Sequence, residues 1–181
     1  MKNTKTCLAK VSVIGMLLGM LLAFLVCTSN TTNTKYVQAE LAQQYTVLSD
    51  YEKIEECKLY VQCLKLAEAG YYEARGESDE GVAAVMYVII NRVNHKKWPG
   101  TIAKVIHQKS QFSYTFDGSL DKPMEKAQKD RMRLLAWEVI HGTIPNPVGL
   151  ANHYHSKSSK PFWKRKMKFV TQIGNHLFYQ L

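Results

Sequence analysis

The stretch "GYYEARGESDEGVAAVMYVIIN", residues 70–91, decides how this chain folds. From Gly81 onward it is apolar nearly all round. That is the composition of a helix buried at the centre of a domain, not of one lying on a surface. Continued through Arg92, Val93 and Asn94, it reads as a helix over residues 80–94. The first half is different. Four acids, Glu73, Glu77, Asp79 and Glu80, crowd the mouth of that helix, with Arg75 and Gly76 among them.

Upstream, residues 50–74 read as one helix. Ser49 or Asp50 can cap it, Glu52 and Glu55 suit its first turns, and Ile54, Cys57, Val61, Leu64 and Tyr71 keep helical spacing. Gly76 is a natural stop. Glu73 therefore falls at the negative end of a helix, where an anion is disfavoured. Tyr71, Tyr72 and the apolar helix that follows would strip water from it. Both effects raise its affinity for a proton. A carboxylic acid kept protonated near neutral pH is a general acid toward a glycosidic oxygen. The same charge pattern also fits a solvated helix end with Arg75 paired to a neighbour.

Downstream, Pro99 and Gly100 break the chain. "TIAKVIHQ" reads as a short helix capped by Thr101, and "QFSYTFDGSL" as a loop or short hairpin turning at Asp117-Gly118. Residues 122–142 form a further helix with Met124, Ala127, Met132, Leu135, Ala136 and Val139 inward and Gly142 at its end. "LANHYHS" is a short strand, "KSSKPFWKRKMK" a basic loop, and "FVTQIGNHLFYQL" strand-like. The expected class is α+β, mainly helical with a small β component.

Residues 1–35 read as a separate unit. Lys2, Lys5 and Lys10 precede residues 11–27, which hold 17 positions without a charge, and a polar linker follows. A basic region before an apolar one is the form of an export signal. At about 1.5 Å rise per residue it also reaches the lower end of what spans a bilayer. It is a cleaved signal or a retained signal-anchor, with the N-terminal side cytoplasmic and the rest outside. Small residues at 37–39 lie far beyond the apolar run, and bulky Val26 before Cys27 argues against lipidation. Residues 36–181 are then one exported domain, periplasmic or facing the cell wall, and expected to be monomeric.

The charge is uneven. Of a net +9, residues 40–80 carry ten acids against four bases, and residues 81–181 carry sixteen bases against five acids. Such a basic body suits a polyanionic surface, either cell-wall polymer or anionic lipid head groups. Export disfavours nucleic acid. Cys57 and Cys63 lie six apart, which on one continuous helix separates them by about 120°. They read as two small buried hydrophobes, without a mutual disulfide.

Other candidate groups each allow a plain structural reading as well. His153 and His155 share one face of a strand, with Tyr154 opposite. With His176 they can bind zinc, hydrogen-bond a sugar, or simply sit at a sheet edge. Gln111, Ser113 and Asp117 alternate with Phe112, Tyr114 and Phe116, a mixture that suits sugar rings and equally a junction of core and loop. Trp98 and Trp163 divide the same way. Lys160, Lys164, Arg165, Lys166 and Lys168 gather around Trp163 as a solvated face or a grip on an anionic polymer.

The order of these signals is more specific than any one of them. Glu-Ala-Arg-Gly-Glu is followed by the apolar helix ending Asn91-Arg92-Val93, then Trp98-Pro99, Val105-Ile106, Gln111-Phe112-Ser113, Asp117-Gly118, His153-Tyr154-His155 and Ile173-Gly174-Asn175-His176 with Phe178. Over residues 63–179 this closely resembles the cell-wall hydrolase family of the spore-cortex-lytic (SleB-like) type. The resemblance implies a variant of the lysozyme and lytic-transglycosylase architecture that degrades peptidoglycan glycan strands without a cofactor. It implies Glu73 as the catalytic carboxylate. It leaves Glu77, Arg75, Gln111, Phe112, Ser113, Asp117, His153, Tyr154, His155 and His176 as candidates for substrate contact. Cysteines that relatives often carry are replaced here by Ser110 and Phe116, and no peptidoglycan-binding repeat is recognised before the domain. The competing expectations are a metal-dependent amidase using His153, His155 and His176, and an anchored wall-binding protein without catalysis.

Overall fold

Ser49 starts the first helix with a reciprocal cap. Its hydroxyl accepts the Glu52 backbone N–H at 3.4 Å, and its own N–H donates to the Glu52 carboxylate at 2.8 Å. The computed structural model describes residues 48–181, so the export segment read in residues 1–35 lies outside the described residues. Among the described residues no helix is long and apolar enough to cross a membrane.

The helix expected over residues 50–74 is two helices, α1 (Asp50–Leu59) and α2 (Val61–Ala74). Tyr60 between them is extended, at φ −112° and ψ 111°. That one residue overturns the reading of the cysteines. The break turns Cys63 back toward Cys57, their Cα atoms lie 5.3 Å apart, and the two form a disulfide. Tertiary contacts hold α1 in its new direction. Lys53 reaches Glu138 at 3.0 Å, and the Trp137 indole donates to Glu56 at 2.8 Å. Closing so short a loop stabilises by roughly 2 kcal/mol in the chain-entropy account. Reduction, or Cys63→Ser, is expected to lower the denaturant midpoint accordingly. Equal midpoints with and without reductant would show that α1 is held by packing alone.

Helix α3 (Asp79–Val93) begins one position before its expected start and is capped by Ser78, whose hydroxyl accepts the Gly81 N–H at 3.3 Å. Every residue from Gly81 to Ile89 is buried, as its composition predicts. Helix α2 crosses it closely at Gly70, where an added Cβ would lie 2.3 Å from the Met86 methyl. The short α4 (Ile102–Ile106) is capped by Thr101, and α5 (Lys126–His141) closes on Gly142 in the left-handed region at φ +67°. The loop between them holds two single 3-10 turns, Ser113–Thr115 and Ser119–Asp121, with no hairpin. Helices α2, α3 and α5 share a core whose largest fully buried side chains include Trp137, Tyr114, Phe112, Phe178 and Leu66.

The β component is one antiparallel sheet of three strands in the order β1-β3-β2: β1 (His153–Ser156), β2 (Lys168–Ile173) and β3 (His176–Gln180). His153 pairs with Tyr179, Tyr154 with Phe178, and Ser156 with His176. Directly paired residues point to the same side. Tyr154, Phe178 and His176 therefore share the face turned toward the helices, and His153, His155 and Tyr179 share the other.

Candidate active site

Glu73 sits in the last turn of α2, half-buried, and its Oε2 accepts a hydrogen bond from the Tyr154 hydroxyl at 2.8 Å. Burial pushes its carboxyl above the ordinary range. The bond from Tyr154 opposes that, the charge of Asp117 adds to it, and the Arg92 guanidinium opposes it, with the net shift upward. Asp117 goes the other way. It is exposed, and hydrogen bonding from the Ser119 side chain, then from the Ser119 N–H at 2.9 Å, holds its carboxyl below the usual range. The two carboxyls thus shift in opposite directions, Glu73 toward protonation and Asp117 toward ionisation. Burial and the neighbouring Glu73 charge also push the Tyr154 phenol well up, so it remains a donor.

What brings Tyr154 to Glu73 is a pair of polar residues on the most apolar helix. Asn91 donates to the carbonyls of Gly149 at 2.8 Å and Ala151 at 2.7 Å, and Arg92 Nε donates to the Asn152 carbonyl at 2.7 Å. Together they fix the chain that leads into β1. Arg92 is only 5% exposed and lies over the rings of Trp98 and Phe112. Sequence reasoning placed Asn91 and Arg92 in a motif without assigning them a task. The available signal was that a buried polar residue in an apolar helix must have a partner.

Glu77 has a different occupation from the one expected. Both carboxylate oxygens accept the Asn175 N–H, at 3.2 and 3.3 Å, and Oε1 lies 3.9 Å from His176 Nδ1. Its side chain is 10% exposed. Glu77 ties the start of α3 to the turn between β2 and β3, and Arg131 braces the same corner by donating to the Glu77 carbonyl at 3.0 Å and to Asp79 at 2.7 Å. Burial lowers the His176 proton affinity against the pull of Glu77, and its ring lies edge-on to Tyr154 at 5.3 Å.

The other candidates separate. Phe112 is buried at 1% exposure and belongs to the core. Arg75 is exposed with its guanidinium over the Tyr71 ring, and Gln111 and Ser113 are exposed on the loop that carries Asp117. His153 and His155 share a face as expected, but it is the face away from Glu73. His153 hydrogen-bonds Asn152 Oδ1 at 2.8 Å and packs on Trp98 and Trp163; burial, then Arg92, brings its pKa down to about 4. His155 is buried against Tyr179. With His176 on the opposite side, the three histidines named for a metal-dependent amidase do not converge. Among the described residues no group of three or more His, Cys, Asp or Glu stands close enough to hold a metal. Two cavities of about 370 and 360 Å³ lie elsewhere, against α5 at Leu135 and at Trp137, and neither borders Glu73.

A mainly helical domain thus raises one carboxylic acid at a helix end and meets it with a phenol from a small sheet, a pair able to hold and release a proton. The chain belongs to the Cell Wall Hydrolase family, whose sequence profile matches residues 76–179, beginning just after Glu73. It is 35% identical over 116 residues to the spore cortex-lytic enzyme of Oceanobacillus iheyensis, covering 62% of this chain and 39% of that one. The Bacillus subtilis spore cortex-lytic enzyme is 33% identical over 115 residues, covering 62% and 35%. This chain thus spans well under half the length of these relatives. Among solved structures it is similar to the catalytic domain of the germination-specific lytic transglycosylase SleB from Bacillus anthracis, with a TM-score of 0.58 and 27% identity over 67% of this chain and 96% of that one. The catalytic domain of the Bacillus cereus SleB protein gives 0.57 and 28%, over 67% and 91%.

Proposed function

We propose that this protein cleaves peptidoglycan glycan strands between N-acetylmuramic acid and N-acetylglucosamine, outside the cytoplasm, with Glu73 as general acid and then general base. The observation that carries this reading is the upward-shifted Glu73 carboxyl receiving the Tyr154 hydroxyl. Likeness to spore cortex-lytic enzymes and to SleB catalytic domains supports it.

Protonated Glu73 donates to the bridging oxygen. The bond from that oxygen to the anomeric carbon breaks through an oxocarbenium-like state. The Glu73 carboxylate left behind is stabilised by Tyr154 and by the charge of Arg92. In the transglycosylase course, the C6 hydroxyl of the same sugar attacks the anomeric carbon and gives its proton to Glu73. A 1,6-anhydro end forms and the acid is restored. In the muramidase course, water takes the place of that hydroxyl, positioned by Asp117, and a reducing end forms. The exposed Arg75, Gln111, Ser113 and Asp117 form the rim that meets the strand. Mass spectrometry of the released muropeptides decides. Anhydro ends identify a transglycosylase, and reducing ends a muramidase. No new ends at all would leave a wall-binding protein. Residues 11–27 are proposed to hold the protein at the membrane, which phase partitioning of the full chain against a truncation from residue 36 would test.

Tyr154→Phe follows from the same geometry. A hydrogen bond to an ionised group is worth ~1.5 kcal/mol or more, so turnover is expected to fall about tenfold. Activity requires protonated Glu73 and declines as pH rises through its raised value. Removing the donor that favours the carboxylate raises that value further, so the alkaline limb of the pH–rate profile should move to higher pH. A limb that stays in place would separate Tyr154 from the titration of Glu73.

A further inference from the structure

We propose that the outer face of the sheet, with the segment laid across it, is a docking surface for an anionic lipid bilayer. Between Ser156 and Phe169 the chain holds Lys157, Lys160, Lys164, Arg165, Lys166 and Lys168 and no acid. Among the described residues none of the six forms an ion pair. They therefore present a positive field that nothing in the described fold neutralises.

This segment is pinned to the sheet. The Trp163 ring lies 5.3 Å from His153, 5.6 Å from His155 and 5.7 Å from Tyr179, all on the face opposite Tyr154. The 3-10 turn Phe162–Lys166 is thereby held with one aromatic ring turned in and the next turned out. Phe162 is 86% exposed, the highest value among the large exposed hydrophobic side chains, and Phe169, packed on Tyr179, is 52% exposed. Exposed rings set among cations match a bilayer interface, where the rings enter the boundary region and the cations meet phosphate groups. A soluble phosphodiester polymer satisfies the cations and offers nothing to Phe162. The charge and the rings together therefore favour lipid. The placement also leaves Glu73 unobstructed, because Tyr154 reaches it from the other side of the sheet. A domain docked this way would keep its acid directed away from the membrane. None of this depends on what Glu73 catalyses.

The test uses the full chain with Phe162→Trp and vesicles of phosphatidylcholine with or without phosphatidylglycerol, the lipids carrying brominated acyl chains. Emission of Phe162→Trp should be quenched by the anionic vesicles beyond any quenching of the parent protein, and not beyond it by phosphatidylcholine alone. Adding Lys164→Gln, Arg165→Gln and Lys166→Gln should cut that excess quenching at least tenfold while the circular dichroism spectrum is unchanged. Because the comparison is made at position 162, membrane attachment through another segment does not mimic the result. No excess quenching, or equal quenching by both vesicles, would overturn the proposal. So would binding of poly(glycerol phosphate) that Phe162→Ala leaves unaltered while vesicles give no excess quenching of Phe162→Trp, an outcome that would make the face a site for wall polymer.

Discussion

Glu73→Gln is expected to reduce release of muropeptides from purified peptidoglycan by about 10³-fold, in line with the loss of a general acid. The amide has no proton to give to the bridging oxygen and no basic oxygen to accept one back. The same substitution should make the protein more stable. Folded Glu73 has a proton affinity above that of the unfolded chain, chiefly through burial. Its contribution to folding is fully present below the unfolded carboxyl value of about 4.3 and is lost as pH rises through the folded value. Glutamine never ionises. The variant and the parent should therefore have similar denaturant midpoints in acid, and the variant should gain as pH is raised to neutrality. Inactivity together with a pH-dependent gain in stability distinguishes a catalytic acid from a structural one, since losing a structural carboxylate would lower stability. Wild-type muropeptide release by Glu73→Gln would remove Glu73 from the mechanism.

Much of this arrangement could be read from the chain because it is local. The unbroken apolar run after Gly81 announces a central helix, and Thr101 and Gly142 mark the helix ends where they occur. Strand alternation correctly puts His153 and His155 on one face. What stayed hidden depends on partners distant in sequence. Nothing in "CKLYVQC" signals a break, since it holds neither Gly nor Pro. Tyr60 is extended because α1 is held against α5 through Lys53 and Glu56, and the disulfide follows from that. Alternation cannot say which face of β1 meets the helices. So the histidines drew attention, while Tyr154, 81 positions from Glu73, turned out to be the residue in contact with it. Glu77 likewise looked like part of a cleft. Its partner, the Asn175 N–H, lies 98 positions away.

That partner makes Gly174 the position where a single methyl group should do the most structural damage. Gly174 opens the two-residue turn between β2 and β3 with φ +54°, and a Cβ built there would lie 1.8 Å from Glu77 Oε2 and 2.9 Å from its Cδ. Gly174→Ala therefore meets two penalties. The left-handed backbone costs a residue with a Cβ about 1–2 kcal/mol. The Glu77 side chain can swing away from the methyl, but only by giving up the Asn175 N–H, and a hydrogen bond to a charged group is worth about 1.5–3 kcal/mol. A total loss of roughly 2.5–5 kcal/mol is expected in chemical denaturation. The two penalties can be separated. In a Glu77→Ala background the collision no longer exists and the hydrogen bond is already lost, so Gly174→Ala should cost only the backbone share. The double-mutant cycle should then show coupling of at least about 1 kcal/mol. If Gly174→Ala costs the same in both backgrounds, Glu77 does not fasten the hairpin. Its largely buried carboxylate, so close to Glu73 in the chain, would then be free to serve the glycan strand after all.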